Sequence, residues 1–439
     1  MPGMSWATGL TFLAFAAAAL LIRLRENSWY SPAAFFAAIW FVLCLLPILL
    51  GPIPVAPAGV LFVALACVAV FIGGEVARRR VKVSDSLNAR RDRLPLLESL
   101  IVGSTLLGIA SVLIVLGSRG RGPQVFLSLS TLADVARDFS VARYSGGWQE
   151  PASARVLVTF IYFGALLGGI LLANQRSGWT RWLALAPFVP SAMTAAVLTT
   201  KASLALPIAL AASSYLSTHL VANSSLPRLD VKRVVLLAAV SLFLVGLFVL
   251  VQMGRYSYTT LAQAGSVLNI FRLDLFPYMG VFADWLQRGG WATRKPAWGL
   301  YTFGGLFDLL HLGNRAAGIY TDQVTVGGAP YNIYTAFRGL IQDFTLPGAL
   351  AVLALLGYGA RFAFSKVRRG DLRYAAPLAA FYVFTLWSFI VDVFAYNTIL
   401  AAFALLTAYL LLAPLQGVNN AAAILDRPWL RGRSSHLAS

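Results

Sequence analysis

The chain has 439 residues, of which 59% are hydrophobic and 12% are charged, and its net charge at pH 7 is +18. A soluble domain carries about 25% charged residues, so this composition excludes a water-soluble globular protein and indicates a polytopic membrane protein. Because the basic residues fall mainly in short loops between apolar runs, the charge indicates membrane topology and not nucleic-acid binding.

Apolar runs long enough for a helix that crosses a bilayer occur throughout the chain. They cover 5–22, 31–50, 56–77, 95–117, 153–173, 182–200, 202–221, 234–253, 345–364, 375–394 and 398–415. The sequence therefore predicts an all-α polytopic membrane protein with about eleven transmembrane helices, organised as a single membrane domain over residues 1–439.

The distribution of Lys and Arg gives the orientation of these helices. The loop 78–93 holds seven basic residues, so the positive-inside rule places it in the cytoplasm. Alternation then predicts an outer N-terminus, a cytoplasmic basic tail at 416–439, a first outer loop at 118–152 and a large outer loop at 254–344.

The large outer loop 254–344 is unusual in length and composition. It contains 17 aromatic residues, too many for a disordered linker, and loops of this length are usually functional. Residues 269–287 form an amphipathic stretch interrupted by Pro277, which we expect to lie at the membrane surface. We therefore expect this loop to be partly helical and to carry the function.

Eight cationic side chains are predicted on the outer face. Guanidinium groups bind phosphates through paired hydrogen bonds, so the set suits an anionic ligand such as a lipid-linked pyrophosphate. Each cation could instead extend to the lipid headgroups, which is the plainer interpretation. The eight residues are Arg119, Arg121, Arg143, Lys201, Arg255, Arg272, Arg315 and Arg338.

Two smaller features allow alternative interpretations. Lys201 lies between two apolar runs, either in an ordinary hairpin turn or as an inward-facing phosphate contact. Asp308 and His311 are spaced by one helical turn, either as a base with its orienting partner or as a surface pair. The sequence shows neither the ligand spacing of a zinc site nor a glycine-rich nucleotide loop, so we expect no metal and no cofactor.

The most specific stretch is Tyr-Asn-Ile-Tyr-Thr-Ala-Phe-Arg at 331–338, followed by Asp343-Phe344 and Gly348. It resembles the "N-V-Y-T-x-F-R … D-F-G … G" pattern of the O-antigen polymerase family, which comprises bacterial oligosaccharide repeat-unit polymerases. The segment 298–313 is similar to that family's "G-x-T-F … L-L-x-L-G" segment, and 199–203 is similar to a short basic turn of the same proteins. Thr345 stands where the family usually has glycine.

The resemblance implies a metal-independent glycosyltransferase of the GT-C type in the bacterial inner membrane. Its substrates would be undecaprenyl-pyrophosphate-linked glycans, which meet at the outer face, where undecaprenyl pyrophosphate is released. Membrane lipids surround such a protein, and a chain-length regulator and a flippase are its expected partners; nucleic acid is not one. Candidates to bind the pyrophosphate are Arg338, Arg272, Arg255, Lys201 and Arg315.

The resemblance also implies a base for the attacking hydroxyl and aromatic rings that stack on sugars. Asp343, Asp308 and His311, in that order, are the candidate bases. Candidate stacking residues are Tyr301, Tyr334, Trp298 and Trp291. Two other functions remain open: an O-antigen ligase, which uses the same donor, and a transporter of lipid-linked oligosaccharides, although the chain lacks the paired repeats typical of transporters.

Overall fold

A computed structural model describes most of the chain. The described residues are 5–80, 94, 96–144, 148–174, 178, 180–222, 246, 264–289, 291–292, 295–312, 323–326 and 328–425. Within these ranges the chain is almost entirely helical, as the sequence predicts, and a single two-stranded antiparallel sheet pairs Val324–Val326 (β1) with Ala329–Tyr331 (β2).

Nine helices precede the large predicted loop among the residues that the structure describes. They are Trp6–Glu26 (α1), Pro32–Leu50 (α2), Pro57–Arg80 (α3), Leu97–Gly117 (α4), Leu129–Tyr144 (α5), Ala152–Asn174 (α6), Thr180–Leu183 (α7), Phe188–Leu198 (α8) and Ala202–Ala222 (α9). Helix α5 lies inside the predicted first outer loop, which is therefore partly helical.

Six further described helices follow. They are Ala264–Leu275 (α10), Tyr278–Gln287 (α11), Gly304–Leu309 (α12), Ala336–Val367 (α13), Ala375–Trp387 (α14) and Asn397–Leu425 (α15). The amphipathic stretch breaks at Pro277, as the sequence predicts, because Pro277 lacks the N–H that a helix interior requires and instead precedes the first residue of α11.

Seven described helices are long and apolar enough to cross a membrane: Trp6–Glu26, Pro32–Leu50, Pro57–Arg80, Leu97–Gly117, Ala152–Asn174, Thr180–Leu198 and Ala336–Val367. The protein is thus a multi-pass membrane protein. Helices also cover the predicted spans 202–221 and 398–415. Of the predicted span 375–394 they cover only the first part, because α14 ends at Trp387. The predicted span 234–253 lies outside the described residues, apart from position 246.

Contacts between distant segments define two ends of the helical bundle. At one end the Thr8 hydroxyl donates to the carbonyl of Val55. At the other end the Arg361 guanidinium meets the Glu26 carboxylate at 2.5 Å, with only 1% of the Glu26 side chain exposed. We call these the Arg338 end and the Arg361 end, because helix α13 runs from the first to the second.

Helix α13 packs most closely against α3, through glycines on both helices. A Cβ atom on Gly73 would lie 1.8 Å from the carbonyl oxygen of Ala354, and one on Gly357 would lie 2.2 Å from that of Val70. Both positions therefore require glycine. Small residues at a crossing let two helix backbones approach, and dispersion contacts then stabilise the pair within lipid.

The beginning of α13 is buried in an aromatic cluster. The ring of Phe337 lies 4.5 Å from that of Trp40, 5.4 Å from that of Phe62 and 6.1 Å from that of Phe282. These partners belong to α2, α3 and α11, so the N-terminal turns of α13 are inserted between two long helices and a helix of the predicted outer loop.

Helix α13 is not continuous. Thr345 has φ 64° and ψ 175°, which separates a short helix over 336–344 from the longer part that follows. Thr335, just before the helix, has φ 73° and ψ 157°. Residues other than glycine rarely adopt these backbone angles, and each one that does lowers the free energy of unfolding by about 1–3 kcal/mol. The short helix 336–344 is thus bounded by two strained threonines.

Candidate functional site

The short helix 336–344 carries the sequence motif on which the site prediction depends. Its first N–H, that of Ala336, donates to the carbonyl of Ser388 at 2.7 Å. This bond attaches the helix to the turn between α14 and α15, at the Arg338 end of the bundle. Packing of Phe337 on the aromatic cluster then fixes the rotation of this helix about its axis. Arg338 and Gln342 lie on one face of the helix because they are four residues, or about one turn, apart.

Arg338 lies inside this end of the bundle and is only 1% exposed. Its guanidinium carbon is 3.9 Å from the ring centroid of Tyr334 and 5.0 Å from that of Trp285. Aromatic faces attract a cation through their quadrupole, most strongly where water is excluded. A side chain held in this way does not extend to lipid headgroups, so the plainer interpretation of the outer cations does not apply to Arg338.

Asp343 is fully buried and holds a loop. Its Oδ1 accepts the N–H of Tyr301 at 3.1 Å, and its Oδ2 accepts the N–H of Thr302 at 2.7 Å. The backbone carbonyl of Asp343 also accepts the N–H of Trp298 at 3.1 Å. Both carboxylate oxygens are therefore occupied, and in this conformation Asp343 positions the loop 297–303. Arg338 and Asp343 contact different groups, as their five-residue spacing predicts.

The loop that Asp343 holds presents two of the predicted stacking residues. Trp298 is 74% exposed and Tyr301 is 38% exposed. Large aromatic rings at the surface of a membrane protein provide flat faces for sugars or for the interfacial region of the bilayer. Tyr334 differs from them, because it is 2% exposed and is covered by the guanidinium of Arg338. Trp291 is half-buried, and its indole N–H donates to the carbonyl of Leu286.

Gln342 is a polar residue of the site that we did not select from the sequence. It is 5% exposed, and neither its Oε1 nor its Nε2 has a hydrogen-bond partner among the residues that the structure describes. Buried polar atoms are almost always satisfied by protein, water or ligand. The motif contained a signal for this residue, because Gln342 follows Arg338 by four positions and therefore lies on the same helical face.

Lys201 and Arg272 come together in a second cluster at the Arg338 end. The Lys201 ammonium lies 2.6 Å from the carboxylate of Asp274. Arg272, two residues before Asp274, donates through Nε to the carbonyl of Leu50 at 2.6 Å and through Nη2 to that of Gly51 at 3.4 Å. These bonds attach α10 to the C-terminal end of α2, where helix carbonyls attract positive charge. Lys201 lies in the turn between α8 and α9, two residues after Thr199, whose backbone has a left-handed conformation.

Tyr331 is near Asp274 in space and near Tyr334 in sequence. It ends β2, three residues before Tyr334. Burial raises the pKa of its phenol above the usual range, and the nearby negative charge of Asp274 acts in the same direction.

Asp308 and His311 do not form the helical pair that their spacing suggests. Helix α12 ends at Leu309, and His311 adopts a left-handed conformation with φ 53°. Asp308 is half-buried and His311 is exposed. The helix ends here in a Schellman motif, in which the N–H of Leu312 donates to the carbonyl of Phe307 at 2.9 Å and that of His311 donates to the carbonyl of Asp308 at 3.3 Å.

Asp392 is a buried acid close to the site, in the turn between α14 and α15 and outside both helices. Its Oδ1 accepts the N–H of Phe394 at 2.9 Å, whereas Oδ2 has no hydrogen bond within the described ranges. Burial raises the pKa of Asp392 to about 7, and the negative charge of Asp343 contributes in the same direction. Nothing in the local sequence distinguishes Asp392 from the other outer carboxylates.

The remaining predicted cations lie elsewhere. Arg255 and Arg315 are outside the described residues. Near α5, Arg121 pairs with Asp138 at 3.1 Å, and the guanidinium of Arg119 lies 6.0 Å from the ring of Phe139. In the described part of the chain, no three His, Cys, Asp or Glu side chains converge as metal ligands would.

Comparison with known proteins identifies no relative: no protein-family model, no curated protein and no solved structure matches the chain.

Proposed function

We propose that this chain is a metal-independent glycosyltransferase of the bacterial inner membrane. It polymerises undecaprenyl-pyrophosphate-linked oligosaccharide repeat units at the outer face. The observation that supports this function best is the guanidinium of Arg338, which is stacked between Tyr334 and Trp285 at the point where the chain enters a membrane helix. A buried charge is costly and is retained where it is paired or functional.

In the proposed reaction a hydroxyl of one repeat unit attacks the anomeric carbon of the other chain. A glycosidic C–O bond forms, the bond from the anomeric carbon to the pyrophosphate oxygen breaks, and the hydroxyl proton passes to a base. Negative charge develops on the departing pyrophosphate, so a preorganised cation there lowers the barrier. A guanidinium suits this role because it remains charged and binds two phosphate oxygens at once.

Within this proposal the other predicted residues have distinct roles. Asp343 positions the loop 297–303, and the exposed rings of Trp298 and Tyr301 on that loop stack on the sugars. Lys201 and Arg272 hold α10 through Asp274 and through the α2 carbonyls. Asp308 and His311, which are less buried than Asp343, are then the candidates to accept the proton.

Arg338 is 1% exposed, so the structure corresponds to a closed site. A pyrophosphate reaches the guanidinium only after the rings that cover it have moved aside. Closure that excludes water strengthens every charge interaction in a site, and the strained residues Thr335 and Thr345 bound the short helix that would move.

The proposal is tested in a deletion strain of the source bacterium by gel analysis of its lipopolysaccharide. The null strain should carry single repeat units attached to core, and the wild-type gene should restore the polymer. Arg338→Ala and Arg338→Lys should both fail while the protein reaches the membrane in normal amounts, because an ammonium cannot stack as a planar group or bind two oxygens in parallel.

Arg288→Lys is the matched control, since Arg288 follows α11 on the surface and its side chain is 76% exposed; this variant should restore full polymer. Unattached polymer in the null strain would instead identify a ligase, and single units trapped in the cytoplasm would identify a transporter. Normal polymer from Arg338→Lys would remove Arg338 from the mechanism.

A further inference from the structure

The amide of Gln342 is the feature of the site that the proposed reaction leaves without a role. Its carbonyl oxygen and its nitrogen are both buried with no hydrogen bond in the described structure. Its neighbours on the short helix are engaged: Phe337 packs in the aromatic cluster and both oxygens of Asp343 accept backbone N–H groups. A buried amide with no partner is destabilising, so its presence indicates an occupant that the amide serves.

The chemistry of a primary amide indicates what that occupant is. Gln342 offers donors on nitrogen and acceptor lone pairs on oxygen, side by side, whereas Arg338 offers donors alone. A guanidinium therefore complements phosphate oxygens. An amide complements neighbouring hydroxyl groups, one of which accepts from Nε2 while the other donates to Oε1.

The spacing of the two side chains fits a single ligand. Residues four apart on a helix have Cβ atoms about 5–6 Å from each other on one face. A ligand whose phosphate meets the Arg338 guanidinium would therefore bring the group next to that phosphate within reach of Gln342. In a lipid-linked glycan that group is the first sugar.

We infer that Gln342 binds hydroxyl groups of the sugar attached to the donor pyrophosphate, and so makes the site selective for that sugar. This inference rests on the proposed function. It names a residue that determines specificity, because a site that hydrogen-bonds a hydroxyl discriminates strongly against ligands that lack it.

Binding measurements on the purified full-length protein in lipid nanodiscs test this assignment. The two probes are undecaprenyl-pyrophosphate-linked repeat unit from the source strain and undecaprenyl pyrophosphate without sugar. Gln342→Leu should weaken binding of the glycolipid roughly 10- to 100-fold and leave binding of the sugar-free lipid unchanged. Arg338→Lys should weaken both, because it acts on the pyrophosphate that the two probes share.

The thermal stability of the same preparations serves as the control for correct folding. Leucine has nearly the volume of glutamine and removes both unpaired polar atoms, so Gln342→Leu should unfold at a temperature equal to or above that of the wild type. Gln342→Glu is the second variant; its negative charge should weaken binding of both probes through repulsion of the pyrophosphate.

Each contrary outcome has a definite meaning. Equal losses for both probes with Gln342→Leu would place the amide at the pyrophosphate and overturn the sugar assignment. No loss for either probe would show that the amide binds only internal water. If the wild-type protein binds neither probe, the proposed function itself fails, and that result is separate from any effect of Gln342.

Discussion

Replacement of Thr345 by glycine should stabilise the protein, which is an unusual expectation for a glycine within a long helix. Thr345 is exposed and has φ 64° and ψ 175°, a region in which a β-branched residue clashes with its own backbone. Glycine adopts this conformation without strain. Because the side chain is exposed, its removal sacrifices little packing.

The size of the effect follows from two opposing contributions. Relief of the backbone strain contributes about 1–3 kcal/mol, whereas the greater freedom of glycine in the unfolded chain costs about 0.4–1 kcal/mol. The net gain in the free energy of unfolding is about 1 kcal/mol. Thr345→Ala retains a Cβ atom at positive φ and should gain much less.

The two native cysteines provide the assay. Cys44 and Cys67 are both 0% exposed. A thiol-reactive dye that fluoresces on reaction therefore reports unfolding in detergent, and no additional cysteine has to be introduced. Thr105→Gly is the matched control, since Thr105 lies within regular helix α4 and its hydroxyl donates to the carbonyl of Ile101; glycine there should lower the unfolding temperature. Equal losses from Thr345→Gly and Thr105→Gly would refute the strain argument.

Three further predictions concern charge and topology. Burial raises the pKa of Asp392 from 3.8 to about 7, so the stability linked to its protonated form is complete below pH 3.8 and is lost as the pH rises through about 7. Asp392→Asn should therefore make the unfolding temperature less dependent on pH between about pH 4 and pH 8. Parallel curves of unfolding temperature against pH for the variant and the wild type would contradict this. The half-buried pair of Lys201 and Asp274 should give a coupling of about 0.5–1 kcal/mol in a double-mutant cycle, whereas additive effects would show that the pair does not hold α10. Ser130 and Asn27 are both exposed. A cysteine that replaces Ser130 should react with an impermeant reagent from outside the cell, whereas a cysteine that replaces Asn27 should react only after permeabilisation. The reverse pattern would place the proposed site in the cytoplasm.

Much of the architecture could be predicted because it depends on local composition. A hydrophobic run of bilayer length folds as a helix because lipid offers its backbone no other hydrogen-bond partner, and helices cover all or part of each predicted span that the structure describes. The break before α11 was equally predictable, since Pro277 has no N–H to donate within a helix. The end of α14 at Trp387 was not, because apolar residues continue through the turn that follows.

The two strained threonines could not be predicted, because neither lies in a sequence typical of a turn. Their conformation follows from contacts between distant segments. The bond from Ala336 to Ser388 and the packing of Phe337 fix the short helix 336–344 at an angle that the membrane helix does not share. The resemblance to a family that usually has glycine at position 345 pointed to this place without giving the reason for it.

The candidate site was only partly predictable for the same reason. The motif was sufficient to select Arg338, and helical spacing alone would have added Gln342. The carbonyls that bind Arg272 lie 222 and 221 residues away in the chain, a contact that no local pattern encodes. Asp343 was selected as a base, but its two oxygens accept N–H groups from a loop about 40 residues away, as the separations of 42 and 41 show.

The ion pair at the Arg361 end has a consequence for how the chain is made. Glu26 and Arg361 are 335 residues apart, so at a synthesis rate of about 5–20 residues per second the carboxylate precedes its counter-ion by roughly 20–70 s. A buried carboxylate without its partner is strongly destabilising. Helix α1 therefore enters the membrane long before this buried ion pair can form. During this interval the nascent chain can already make the Thr8–Val55 hydrogen bond and the ion pair of Arg25 with Glu75 of α3. The Glu26–Arg361 ion pair is thus one of the last contacts of α1 to form, although α1 is one of the first helices to leave the ribosome.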